Sequence, residues 1–212
     1  MKIGILGTGR MGKGLARCYA KVGHAVVLGS RDTRRADAEA AAIQEELPEA
    51  QVSGADWVSA ANACELIVVC VPFGDAAGLV ATLADSLEDK IIIDITNPFG
   101  AVPVGQISGI EHNAKALGRR ARWVAAYKTN FWKTLAHPVD QQGMQRDVFI
   151  CGDEPDAKRI VRELVESTGF RAVDCGALEV ARILDPMVPL MLELDRSCGT
   201  NAFSSWKFLT TE

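Results

Sequence analysis

The chain has 212 residues, 48% hydrophobic and 24% charged, with a formal net charge of −4. That length suits one domain, or one domain with a small C-terminal appendix, and the apolar share supplies a sizeable core. The mild acidity, without a basic face, argues against a nucleic-acid partner.

Apolar runs alternate with helical patterns from the first residues. Lys2–Leu6 reads as a strand, 11–22 as a helix, Ala25–Gly29 as a second strand and 34–47 as an Ala/Glu-rich helix. A short third strand is predicted at 51–53. Residues 66–71 form a near-continuous apolar strand, the pattern of burial on both faces of a parallel sheet. A helix over 75–87 and a fifth strand of the same buried kind over 90–95 follow. Beyond Asn97-Pro98 the pattern loosens into a Gly/Pro/Val-rich loop over 99–109 and a helix at 113–117. Strands are predicted at 123–127 and 147–151, separated by a polar and aromatic stretch over 128–146. A connection that long in a compact chain is usually functional or mobile. Pro155–Ser167 reads as a helix ending at Gly169, Arg171–Asp174 as a last strand, and 177–197 as a long apolar helix with Pro186 and Pro189 as kink points.

This alternation predicts an α/β fold: a Rossmann doubly wound, mostly parallel sheet with right-handed crossovers and a small C-terminal α/β extension. Residues 1–150 are expected to form the nucleotide domain, and 151–212 the small C-terminal part. The N-terminus lacks a cleavable apolar leader, and no apolar run approaches the roughly 20 residues needed to span a bilayer. The six cysteines, Cys18, Cys64, Cys70, Cys151, Cys175 and Cys198, form no CxxC pair, and only three histidines accompany them. No metal site is expected, and reduced thiols point to the cytoplasm with no membrane partner.

The first strand runs into Gly7-Thr8-Gly9-Arg10-Met11-Gly12, a GxGxxG turn between a strand and a helix, the context that gives this motif meaning. Gly7 permits the tight turn, Gly9 lets a pyrophosphate approach the backbone, and Gly12 lets the helix pack close to the sheet. The free amides at the helix start then face the phosphates. Where NAD enzymes place a carboxylate after the second strand, this chain has Gly29-Ser30-Arg31, with Arg34 and Arg35 one turn on. A hydroxyl and guanidinium groups suit the 2′-phosphate of NADP(H), which a carboxylate would repel. Val71-Pro72-Phe73 and Asn97 close the fourth and fifth strands, where α/β sheets bind ligands, so they are placed to line the ribose and nicotinamide. No catalytic acid/base constellation stands out. Hydride transfer asks little beyond placing the two reacting carbons together and excluding water.

The stretch from Ile3-Gly4-Ile5-Leu6 through the glycine turn to Lys13-Gly14-Leu15-Ala16, then Gly23-His24 and Gly29-Ser30-Arg31, resembles the NADPH-dependent reductases of the deazaflavin coenzyme F420. Val148-Phe149-Ile150-Cys151-Gly152-Asp153 and Val173-Asp174-Cys175-Gly176-Ala177-Leu178 resemble that family's last strands and helix. The resemblance implies a homodimer and hydride exchange between NADP(H) and a deazaflavin; FMN and FAD stay open as other flavin-like acceptors. It places Thr8, Arg10 and Met11 at the pyrophosphate, Ser30, Arg31 and Arg35 at the 2′-phosphate, and Val71, Pro72 and Phe73 beside the nicotinamide. This family typically presents a histidine, then an aliphatic residue two positions later, to the deazaflavin. Here Lys128 and Asn130 stand in those places, followed by Phe131 and Trp132. Lys128 is expected to meet an anionic acceptor, and Phe131 or Trp132 to stack on a flat ring, unless this stretch is a surface loop with packed aromatics.

The same fold and nucleotide site occur in the cytosolic domain of ferric reductases, so the resemblance bears more on the donor than on the acceptor. Two alternatives stay open: a reductase of a small carbonyl or imine, and a non-catalytic NADPH-binding protein. Only about 60 residues follow Cys151, fewer than the helical second domain of the larger carbonyl-reducing kinds. The 184–194 helix is apolar on more than one face, so it must be covered by the core or by a second copy.

Overall fold

A computed structural model describes residues 1–210. The first half contains β1 (Lys2–Leu6), α1 (Arg10–Lys21), β2 (Ala25–Gly29), α2 (Thr33–Glu46), β3 (Val52–Ala55), α3 (Trp57–Asn62), β4 (Leu66–Val69), α4 (Phe73–Thr82), α5 (Ala84–Leu87) and β5 (Ile91–Asp94). The second half contains α6 (Gly109–Leu117), β6 (Arg122–Ala125), a 3-10 turn at Thr134–Ala136, β7 (Asp147–Gly152), α7 (Pro155–Ser167), β8 (Arg171–Asp174), a 3-10 turn at Leu178–Val180 and α8 (Ala181–Cys198).

All eight strands join one sheet in the order β3-β2-β1-β4-β5-β6-β7-β8. The first six are parallel and follow the Rossmann order. β7 turns back antiparallel to β6, with Val124 opposite Gly152, and β8 lies parallel to β7. The C-terminal extension therefore continues the same sheet, and β7 straddles residue 150. Every residue of β4 and β5 is buried, as their unbroken apolar runs require when helices cover both faces. Alternate residues feed two cores. Ile3, Ile5, Val68 and Ile93 pack with Leu15 and Tyr19 of α1 and Val161 of α7, whereas Ile67, Val69 and Ile92 pack with Leu79 of α4, Ile110 of α6 and Leu184 of α8.

Several elements depart from their sequence-based expectation for local reasons. The helix expected over 75–87 is broken at Leu83, beside Thr82, whose hydroxyl donates back to the Gly78 carbonyl at 2.8 Å. Such back-bonding competes with the helical ladder. The six-residue helix α3 went unforeseen; Asp56 caps it by accepting from the Ser59 amide at 2.9 Å. Helix α6 starts four residues earlier than its apolar pattern suggests, because Ser108 and Glu111 form a capping box. One continuous helix, α8, runs through both Pro186 and Pro189, whose rings are exposed. The 128–146 stretch is anchored by short bridges, Asn130 to Ser205 and Val139 to Gln145.

Candidate functional site

The carboxyl ends of β1, β2, β4, β5 and β6 open onto a common edge, where the predicted residues gather. Between β1 and α1 the three motif glycines divide their work. Gly7 has φ +135°, and a Cβ on it would lie 2.1 Å from the Cys70 carbonyl oxygen, so the turn is closed against the end of β4. A Cβ on Gly12 would lie 2.0 Å from the Gly7 carbonyl oxygen, so the helix sits against the turn. Gly9 is exposed, and a Cβ there would meet nothing within 4 Å. Of the three it is the one with open space around it. Gly9 also caps α1 without a side-chain oxygen, and the first turn carries no acidic residue. The amides there are left for an external anion. Thr8 is buried in the turn, Met11 is half-buried and Arg10 is exposed, its guanidinium 5.4 Å from the centre of the Trp132 ring.

At the end of β2, Ser30 is half-buried, and its hydroxyl accepts from the Asp32 amide at 3.2 Å. Arg31 lies over the Trp57 ring at 5.6 Å, so a residue of the unforeseen α3 orients it. Arg34 is drawn to Asp32 at 3.6 Å. Among the described residues Arg31 and Arg35, both exposed, have no carboxylate within salt-bridge reach.

On the other side of the edge, Val71 and Phe73 are half-buried and Pro72, exposed, caps α4. Phe73 packs against His112 with ring centres 5.4 Å apart. Asn97 follows β5, and its Oδ1 is buried with no hydrogen-bond partner. A buried amide oxygen without a donor is costly, and here it lies beside the edge a ligand would cover. Burial, reinforced by the charge of Asp94, pushes the Cys70 thiol up to about 12, which leaves it an inert packing group.

Lys128, expected to meet an anionic acceptor or to lie on a surface loop, is instead an internal residue paired with a carboxylate of this chain. It is 2% exposed, donates to the Thr96 carbonyl and lies 2.9 Å from Asp185 Oδ1 of α8, off the line of a straight hydrogen bond. The other Asp185 oxygen accepts from the Gly109 amide at the start of α6 (2.7 Å). Beside this pair Asp94, fully buried at the end of β5, accepts from Asn113 at 2.8 Å and from the Thr96 amide at 2.7 Å. The preceding residue, Tyr127, sits at φ +54°, a conformation bulky side chains rarely adopt; its buried ring packs edge-on against Phe170 at 6.2 Å. Asn130 is also internal, donating to the Asp147 carbonyl at 3.0 Å. Phe131 is half-buried, and Trp132 is the exposed member of the segment.

Residues 2–98 match the family described as NADP oxidoreductase, coenzyme F420-dependent. The F420-dependent NADP reductase of Methanothermobacter thermautotrophicus is 32% identical over an alignment covering 92% of this chain and 89% of that protein. The chain belongs to this family of NADP-dependent oxidoreductases. A crystal structure from Arthrobacter sp. FB24, provisionally named an F420-dependent NADP reductase, superposes with a TM-score of 0.84 at 29% identity, covering 99% of this chain and all of the other. Rat metalloreductase STEAP3 is 32% identical over 90% of this chain, which spans only 37% of that longer protein. No helix among the described residues is long and apolar enough to cross a membrane.

The match over 2–98 contains the glycine turn, the Ser30–Arg35 patch and Asn97, all carried by residues adjacent in the chain to recognisable strands. Sequence reasoning missed Asp185, Asp94, Asn113 and Trp57. Asp94 alone had a local sign, a carboxylate closing the apolar run Ile91-Ile92-Ile93. Lys128 and Asp185 are far apart in the sequence and meet only in the fold.

Proposed function

We propose that this reductase exchanges hydride between NADP(H) and a flavin-like or deazaflavin acceptor on the carboxyl edge of its sheet. One observation supports the reading above others. Across the edge, from β2 through β1 to β5, stand two arginines with no carboxylate in reach among the described residues, an open Gly9 turn and a buried Asn97 oxygen without a donor. These are the complements of a 2′-phosphate, a pyrophosphate and an amide N–H or hydroxyl, and NADP carries all three.

In this reading Gly7, Thr8, Gly9, Arg10, Met11 and Gly12 hold the pyrophosphate through the amides of α1. Ser30, Arg31 and Arg35 hold the 2′-phosphate. Val71, Pro72, Phe73 and Asn97 fix the nicotinamide end. When bound, NADPH supplies the hydride. The protein holds the acceptor ring against it and keeps water out, so no side chain needs to donate or accept a proton at the reacting carbon. The C-terminal part beyond residue 150 forms the wall on the acceptor side, with α8 held to the edge by the Lys128–Asp185 pair. Ile183, Leu190 and Leu194 of α8 remain exposed, at 65%, 50% and 43%, and fall on one stripe at helical spacing. A second copy covers that stripe in a homodimer, and light scattering showing a monomer at working concentration would remove this part of the proposal.

The test is spectrophotometric: NADPH, protein and a panel of deazaflavin, FMN and FAD. Oxidation of NADPH with at least one of them is expected. Turnover confined to small carbonyl or imine compounds, or tight NADPH binding without any acceptor, would contradict it.

A further inference from the structure

One cavity lies apart from the Ser30–Arg35 patch and Asn97. It is a groove of about 940 Å³ between the outer face of α1 and the segment 132–138, lined also by Phe203 and the end of α7. Its volume is at the upper end of what small-molecule sites offer. Arg10 lines it and follows the open Gly9 directly in the chain, so the groove reaches the glycine turn.

The cations along the groove fall into two groups. Lys13 and Arg17 are neutralised by α2, at 3.0 Å to Glu39 and 2.6 Å to Glu46. Arg10, Lys21 and Lys133 have no carboxylate within salt-bridge reach among the described residues. Two of them rest on aromatic faces instead: Arg10 and Lys133 lie 5.4 and 5.6 Å from the Trp132 ring, and Lys133 lies 5.2 Å from Phe203. Ring contacts hold a cation in place without neutralising it. The floor between these charges is apolar, built from Leu135, Leu47 and Pro138. A ligand matching both features is an anion carried on a carbon chain, entering beside the glycine turn.

We propose that this groove holds the phosphate-bearing tail of the acceptor. Lys133 and Lys21 would meet its negative charges, Arg10 would stand between the tail and the NADP pyrophosphate, and the chain would lie over the apolar floor. This rests on the flavin-like acceptor reading. The shared chemistry is a phosphate on a chain attached to a flat ring; FMN, FAD and the oligoglutamate-tailed deazaflavin all supply it.

Binding is measured without turnover, from the fluorescence anisotropy of the ligand's own ring. FMN and FAD are compared with riboflavin, and tailed F420 with the same deazaflavin lacking phosphate and glutamates. At least one tailed form is expected to bind roughly tenfold or more tightly than its tail-free partner, as one or two charge-assisted contacts provide. The advantage should shrink as salt is raised. Lys133→Glu with Lys21→Glu should abolish that advantage, and Trp132→Ala should reduce it, each with a melting temperature near the parent's because all three side chains lie on the groove's surface. The form that keeps the largest advantage identifies the tail. Equal binding of tailed and tail-free forms, no binding of either, or an equal loss for both in the double variant would overturn the proposal. Tail-free rings reduced as well as tailed ones would sink the groove and leave the reductase standing. Tailed ligand bound in the groove but never reduced would do the reverse.

Discussion

Replacing Lys128 by Met would leave Asp185 as a buried carboxylate, its Oδ2 still held by the Gly109 amide but its Oδ1 with nothing to answer it. Both side chains are nearly closed to water, 1% exposed for Lys128 and 7% for Asp185. Breaking a buried pair from one side costs about 3–5 kcal/mol. For a chain of this size that corresponds to a fall in melting temperature of roughly 6–20 °C. Asp185→Asn keeps an acceptor for Gly109 and strands the Lys128 ammonium on the Thr96 carbonyl, so a loss of similar size is expected. The double change Lys128→Met with Asp185→Leu removes both charges. It should recover most of the loss, leaving about 1–3 kcal/mol for the Gly109 amide that no longer has a partner. Denaturant unfolding of the three variants and the parent gives the cycle directly. If either single variant costs under about 1 kcal/mol, or if the double variant costs the sum of the singles, the pair is not the buried, mutually dependent clamp of α8 described above.

Gly9→Ala should fold with the parent's stability yet bind NADPH at least roughly tenfold more weakly, whereas Gly12→Ala should lose stability as well, since its Cβ would fall 2.0 Å from a backbone oxygen; calorimetric unfolding and NADPH titration of both separate a ligand glycine from a packing glycine. Arg31→Ala and Arg35→Ala should each raise the KM for NADPH by roughly 10–100-fold with little effect on NADH, because each removes a charge-assisted contact to the 2′-phosphate. Acid should loosen the contact between α6 and α8. The Arg182 guanidinium, 2.9 Å away, holds the Glu111 carboxyl at about 2, below its ordinary 4.5. A lowered folded value means the stabilisation is fully present above the ordinary one and is lost as pH falls from 4.5 toward about 2. The slope of melting temperature against pH in that window should be shallower in Glu111→Gln than in the parent.

The nucleotide half was readable because its determinants are local. A strand, a glycine turn and a helix start lie within a dozen residues, and the unbroken apolar runs of β4 and β5 announce a sheet covered on both faces. The same locality lets the turn alone distinguish Gly7 and Gly12, closed against backbone, from the open Gly9. The side proposed to hold the acceptor was less readable because its determinants are tertiary. Lys128 looks like a loop cation until α8 brings Asp185 to it, and Arg31 looks like a solvated helix start until Trp57 arrives beneath it. The groove draws on α1, the end of α2, residues 132–138, the end of α7 and Phe203, five stretches that no periodicity links. Helix α3 escaped notice because six residues are too few to show a 3.6-residue repeat.

The central claim is that hydride passes directly from NADPH to a flavin-like ring held on this edge. The most direct measurement uses NADPH deuterated at either face of C4, the oxidised deazaflavin and the protein in ordinary water, with the reduced ring examined by mass spectrometry. The deazaflavin receives hydride on carbon, where the label does not wash out. Deuterium on the ring from one of the two labelled faces is predicted. NADPH left unconsumed, or a reduced ring carrying only solvent hydrogen from both, would contradict the account.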